Sequence, residues 1–422
     1  MSKSNEGTLG PVRTWALAAG GMVGGGIYIA LGVVIEVAAQ WAWLSFALAG
    51  VAAVITSWSY ARLTNRFHAV GGAFDFLEEI NRDGWAGSLS WLLILGYMLT
   101  ISVYAFAFGN YLAHFFGGGA IVIRMLAVAI MAAMIGLNLA GAGKLTTVEV
   151  IIVSGNLMML LVLGGVGLAR WAPPQLSSGI DIQPLPTAML GAAAIFVSYE
   201  GFQLLTYEYG EMKEPRNWFL PVLVSATAFV VVVYVAVTLG ATMISGASTM
   251  VEQKDVALAV AAEDALGRTG LIAMTIAAAF ATTAAINSTL FSTAKLAGRV
   301  ADDEELPAWF AHRNDNGIPD RSVIAVGVIA GALTILGSLS SLVEAASLVF
   351  VVTFTVVNLI AADKFEEHAW LPWAGALLSI AIGLTLAGRL IVTQPFTLAV
   401  LVVLGVVIIF LRPVLLRRVA TA

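Results

Sequence analysis

The chain has 422 residues, of which 59% are hydrophobic and only 11% charged, and its mean hydropathy is +0.92. That composition excludes a soluble globular domain and indicates an integral membrane protein. Cysteine is absent, which excludes disulfides and thiolate metal sites, and the formal charge of -5 says less than the placement of the lysines and arginines.

A spanning helix needs about 20 mainly apolar residues. On that measure twelve spans are predicted, at residues 12-38, 41-62, 86-116, 120-140, 145-169, 187-210, 218-244, 268-298, 321-338, 342-361, 371-389 and 394-412. The first, third and eighth are long, which implies tilt or a break. With the N-terminus inside, sixteen of the 21 lysines and arginines fall in cytoplasmic segments, and only Arg124, Arg170, Lys254, Arg268 and Arg389 fall on the other side. This bias predicts a multi-pass protein of the cell membrane with both termini, including the tails 1-11 and 413-422, in the cytoplasm. The first apolar segment has no small-residue cleavage site after a short core, so it reads as a retained helix. The segments between spans are short, the longest reading as a loop of about 20 to 25 residues, too few for a soluble domain.

Span one contains Gly20, Gly21, Met22, Val23, Gly24, Gly25 and Gly26, followed by Ile27 and Tyr28. Each glycine costs a helix interior roughly 1 kcal/mol, so five in seven residues mark a place where helix gives way to exposed backbone. In span three, Tyr104 and Tyr97 are candidates to close a cavity beside that break, although membrane aromatics also serve as packing and interface anchors.

Span six carries a second anomaly, Phe196, Val197, Ser198, Tyr199, Glu200, Gly201, Phe202 and Gln203, with a carboxylate near the expected midplane. Interrupted helices at matching positions, five spans apart, are the sequence pointer to the substrate site of secondary transporters built from repeats. Helices 1 to 5, residues 12-169, and helices 6 to 10, residues 187-361, would be those repeats, leaving 371-412 as two peripheral helices. A broken helix offers free N–H groups at one end and free C=O groups at the other. A zwitterion complements both: its carboxylate fits the amides of Gly24, Gly25 and Gly26, and its ammonium fits the carbonyls of Val197, Ser198 and Tyr199. Glycine faces also pack helices closely, but the number of glycines and the matching second break favour a binding site. No nucleotide-binding spacing is present.

At these residues the chain resembles the amino acid-polyamine-organocation superfamily of permeases. The shared motifs are Gly20 with Gly24-Gly25-Gly26-Ile27-Tyr28, Tyr199-Glu200-Gly201-Phe202, Glu211-Met212-Lys213-Glu214-Pro215, Gly71-Gly72-Ala73-Phe74, and Arg299 through Leu306-Pro307. The resemblance runs over nearly the whole chain in order. It implies an all-α, leucine-transporter-like fold of ten core helices in a 5+5 inverted repeat, with helices 1 and 6 broken, plus two peripheral helices. It also implies alternating-access transport of amino acids or related amines without a cofactor. The expected substrate contacts are therefore Gly24, Gly25, Gly26, Ile27, Val197, Ser198, Tyr199, Glu200, Gly201, Phe202 and Tyr104. Phe196 and Phe202 are the candidate aromatic gates, with Val197 aligned to one common gate position.

A midplane carboxylate such as Glu200 must be paired, protonated or hydrated. It either neutralises a substrate ammonium, carries a coupling proton, or sits as a neutral acid hydrogen-bonded to a neighbouring helix. Some relatives use a lysine in helix five whose protonation replaces sodium, and the resemblance places Asn156 there. Sodium would instead lie between carbonyls near Gly20 to Val23 and hydroxyls of Thr282, Thr283 or Ser288, unless those hydroxyls bond their own helix. Coupling to H+, to Na+ or to neither stays open.

The segment from Arg299 to Arg321 reads as a mostly solvated loop. Lys213, Arg216 and Arg299 are candidates to pair with Glu211 or Asp75 when the inner path closes. Glu344 reads as a hydrated residue at the outer boundary of span ten. His68, His114, His312 and His368 lack ligand spacing, so no metal site is expected. A cation or cation-chloride transporter on the same fold is the alternative function. A channel lacks a filter-like repeat or charge ring, and an enzyme lacks any nucleophile or metal motif. Nothing suggests a nucleic-acid partner, and the oligomeric state is not legible.

Overall fold

The computed structural model describes residues 9–68, 72–80, 83–141 and 147–412. The tail 413-422, most of the tail 1-11, and the motif residue Gly71 lie outside them, as do Lys3, Arg82, Lys144, Arg417 and Arg418. Among the described residues the chain is helical, with one isolated bridge between Leu9 and Met212.

Helices stand at all twelve expected positions. Span one is α1 (Pro11–Val23) and α2 (Gly26–Ala38), separated at Gly24 and Gly25. Then follow α3 (Ala42–Phe67), the short α4 (Ala73–Glu78), α5 (Asp83–Phe116), α6 (Ala120–Leu139) and α7 (Thr147–Arg170). Span six begins as α8 (Thr187–Ala194) and continues as two 3-10 turns, Phe196–Tyr199 and Phe202–Glu211, with a bend of 60°. The remainder is α9 (Phe219–Ser245), α10 (Ala247–Glu252), α11 (Ala257–Leu266), α12 (Arg268–Asp302), α13 (Asp320–Leu336), α14 (Leu339–Lys364), α15 (Trp370–Thr393) and α16 (Pro395–Val406). Among the described residues eight helical stretches are individually long and apolar enough to cross a membrane, and one of them, Gly26–Phe67, is 42 residues long and joins the second half of span one to span two.

Burial sorts these helices into centre and periphery. In the most apolar window of each, 78% of residues are buried in the third span and 72% in α14, against 17% in α6 and 33% in α15, and α16 buries none. Apolar side chains left outside, such as Phe396, Val392 and Ile121, face the bilayer because burial inside protein gives them no advantage over lipid. The two broken spans are central: every residue from Gly26 to Ile35 is buried, as is every residue from Ala192 to Tyr209.

The segment after span seven departs from expectation. Residues 247–266, read above as loop, fold into α10, a 3-10 turn at Lys254–Val256, and α11. Together they form a lid over α2, close enough that a Cβ on Gly32 would collide with the Lys254 backbone. The absence of a side chain on Gly32 permits this approach, and Ala257, Ala259, Ala261 and Ala262 are buried in α11. Glu344 is a second correction: it is fully buried on α14 and accepts a hydrogen bond from Arg389 Nε on α15 at 3.1 Å. A buried carboxylate requires such a partner, and the two residues are too far apart in sequence to reveal the pair.

Candidate functional site

The two breaks meet backbone to backbone. Gly25 precedes α2 at φ -149 and ψ -20, and no side chain caps the first amides of that helix. A Cβ on Gly26 would approach the Cα and O of Ser198 to 2.7 Å, and one on Gly21 would lie 3.2 Å from the Gly201 carbonyl oxygen. Gly201 itself has φ +127, a conformation open to glycine but strained for other residues. Glycine is needed here for approach and for conformation, so the cluster does more than weaken the helix.

Glu200 extends the contact between the spans. Its residue is 1% exposed, and its two carboxyl oxygens accept from Tyr104 Oη at 3.0 Å and from Gln203 Nε2 at 3.2 Å. Gln203 Oε1 in turn accepts from the Gly201 amide at 3.0 Å. The ring of Tyr104 covers Gly25, where an added Cβ would run into it. One phenol on α5 thus links the glycine break of span one to the carboxylate of span six. Tyr97, also on α5, lies with its hydroxyl 3.1 Å from that of Tyr207.

Phe196 and Phe202 converge on Phe354 of α14, with ring centroids 5.6 and 5.3 Å away, and Phe202 also meets Tyr60 at 5.8 Å. Val197 is buried, and its amide donates to Ser347 Oγ at 3.0 Å while that hydroxyl donates to the Ala194 carbonyl at 3.3 Å. Ile27 is buried beside the break. Tyr199 directs its phenol away, donating to the Phe46 carbonyl of α3 at 2.7 Å. Sequence reading missed Ser347 and Phe354. Their i, i+3 and i+7 relation with Phe350 puts them on one helical face, which was the available signal.

Of the residues singled out for ion coupling, Asn156 and Ser288 share one crevice, and Glu200, Thr282 and Thr283 do not line it. Asn156 accepts a hydrogen bond from the Tyr28 hydroxyl. Asn156 also lines a narrow crevice of about 30 Å³ with Gly20, Gly24, Gly201, Glu208 and Ser288. Thr282 Oγ1 points to its own helix, donating to Ala278 O at 2.7 Å, and Ser288 Oγ is within 3.3 Å of Ala285 O. Thr283 is half-buried. Among the described residues no cluster of three or more His, Asp or Glu side chains could hold a metal.

Ion pairs lie at both ends of the region. At the lysine- and arginine-rich end Arg299 pairs with Asp75 at 3.1 Å, and Lys295 pairs with Glu208 at 2.9 Å and Glu211 at 3.6 Å. The expected Glu211 pairing is therefore made by Lys295 on α12. The Leu9 amide donates to Glu211 O at 3.2 Å and the Lys213 amide to Leu9 O at 3.0 Å, which straps the start of the described chain across the end of span six. At the opposite end Lys254 in the lid grips Glu36 of α2 at 2.9 Å.

Residues 9–416 match the family model described as amino acid permease. The chain is 28% identical over 382 residues to the inner membrane transport protein YbaT of Escherichia coli, covering 87% of this chain and 88% of that one. It is also 28% identical over 372 residues to the vacuolar cationic amino acid transporter 4 of Arabidopsis thaliana, covering 83% of this chain and 62% of the relative. The solved structure of MhsT in complex with L-phenylalanine superposes with a TM-score of 0.61 at 15% identity, over 94% of this chain and 98% of that one, a likeness of fold. These matches agree with the paired helix breaks: the chain belongs to the amino acid permease family of the amino acid-polyamine-organocation superfamily and is a membrane transporter.

Proposed function

We propose that this permease carries an α-amino acid or a closely related amine, held at the two helix breaks and passed across the membrane by alternating access. The observation that carries this reading is the contact of the uncapped start of α2 with the interrupted backbone at Ser198. Helix-start amides and helix-end carbonyls meet there in a buried interior, which suits a group that is negative at one end and positive at the other. Gly24, Gly25 and Gly26 take the carboxylate, the carbonyl side of span six takes the ammonium, and Glu200, Tyr104, Val197 and Phe202 flank them. The Arabidopsis relatives described as cationic amino acid transporters and the MhsT complex with L-phenylalanine support the substrate class by analogy. Residues 12-169 and 187-361 serve as the two repeats.

The excess of lysine and arginine at the Arg299 end supports a cytoplasmic placement of that end. Arg299–Asp75 and Lys295–Glu208 then form the inner gate and Lys254–Glu36 the outer clasp. Reversing one gate charge, as in Asp75→Arg or Arg299→Asp, is expected to lower uptake at least about tenfold, because a like-charge pair replaces a half-buried ion pair. The double swap should recover a substantial part of it. A swap no better than the single variants would count against a gating pair.

The direct test is uptake of a panel of labelled amino acids and amines by proteoliposomes under imposed pH or sodium gradients. Accumulation of at least one, dependent on the protein, is expected. If none of them moves or binds, the reading fails.

A further inference from the structure

Tyr234 of α9 holds both breaks at once. Its hydroxyl donates toward the Met22 carbonyl oxygen at 2.7 Å and the Ser198 carbonyl oxygen at 3.0 Å. Met22 lies in the last turn of α1, and Ser198 lies in the 3-10 turn that interrupts span six. The phenol is fully buried and wedged by Tyr199 and Phe46, with ring centroids 5.2 and 5.3 Å away.

A phenol has one proton, so two acceptors share it and neither is fully satisfied. Carbonyls at the C-terminal ends of helical segments carry partial negative charge, and burial removes the water that would otherwise serve them. The point where Met22 O and Ser198 O converge therefore favours a cation, yet a neutral hydroxyl fills it.

We propose that Tyr234 is a placeholder for the substrate's ammonium: its O–H occupies the carbonyl pair in the empty transporter, and the substrate binds by displacing it. This rests on the site reading above and adds the residue that partners the breaks when no substrate is present. An ammonium brings three donors, enough to serve each carbonyl fully where the phenol must share one proton. In the empty protein the hydroxyl keeps the two carbonyls partnered, which lets the unloaded carrier close and reorient. Tyr234 is thus a positioning residue for the empty state, with opposite effects on binding and on return.

The test compares binding, exchange and net uptake in proteoliposomes, using a substrate that the wild-type protein exchanges. Tyr234→Phe removes the competing donor, so binding should tighten about three- to tenfold, exchange should stay within about twofold, and net uptake into substrate-free vesicles should fall at least about tenfold. A singly ring-fluorinated tyrosine at 234 is a stronger donor of nearly the same shape, and it should weaken binding. This second variant covers a Phe variant that fails to fold. Weaker binding in a Phe variant with wild-type melting temperature, equal loss of exchange and net uptake, or no shift in either variant would overturn the placeholder role. Absence of any wild-type exchange would overturn the site reading and the inference with it, whereas the other contrary results overturn the inference alone.

Discussion

Replacing Gly25 with leucine is expected to abolish substrate binding and uptake. The position has no room: a Cβ there runs into the Tyr104 ring, and the neighbouring Gly26 already lies against the Ser198 backbone. A leucine side chain would displace Tyr104, separate the breaks and cover the amides assigned to the carboxylate. Displacements of about 1 Å in such sites cost on the order of a hundredfold, so uptake should fall at least that far. Gly155 provides the comparison, since a Cβ added on its exposed face of α7 meets nothing within 4 Å. Gly155→Ala should transport like the wild type. Binding by calorimetry and melting temperature, measured on both variants, separate loss of the site from loss of the fold. Normal binding by a folded Gly25→Leu protein would mean that the carboxylate lies elsewhere.

Glu200→Gln is expected to produce the second large effect. Both carboxyl oxygens of Glu200 are accepting, from Tyr104 and from Gln203, and a glutamine retains only one acceptor oxygen while facing another amide. Hydrogen bonds to charged groups are worth about 1.5–3 kcal/mol, so losing one that operates during transport should lower kcat/KM by roughly ten- to a hundredfold. If this acid carries a charge or a proton through the cycle, the variant should also have a flatter pH dependence of uptake. A Glu200→Gln protein with wild-type rates at every pH would assign the residue to packing.

The parts of the molecule legible in the sequence were those set by local chemistry. Apolar runs bounded by charge located all twelve helical positions, because lipid requires about 20 such residues per span. Five glycines in seven, and a serine, acid and glycine together in span six, marked the two breaks because helical backbone is locally unfavourable there. Contacts between distant segments were not legible. The lid at 247–266 is made of ordinary helix-forming residues and is recognisable only from its fit over Gly32. Glu344 looked like a boundary acid because its partner, Arg389, is on another helix. Tyr234, Ser347 and Phe354 sit in plain apolar spans, and only packing brings their polar or aromatic atoms to the breaks. Lys295 replaced the nearer basic residues as the partner of Glu211 because α12 crosses the end of span six.

The central claim is that one substrate bridges the two breaks, carboxylate at Gly24 to Gly26 and ammonium at the Ser198 side. The most direct measurement is an electron cryomicroscopy structure with the amino acid or amine identified by the uptake panel. Density joining the start of α2 to the carbonyls of the span-six break, beneath Tyr104, is the predicted result. Substrate density at any other place in the bundle, with the Gly26–Ser198 contact undisturbed, would contradict it.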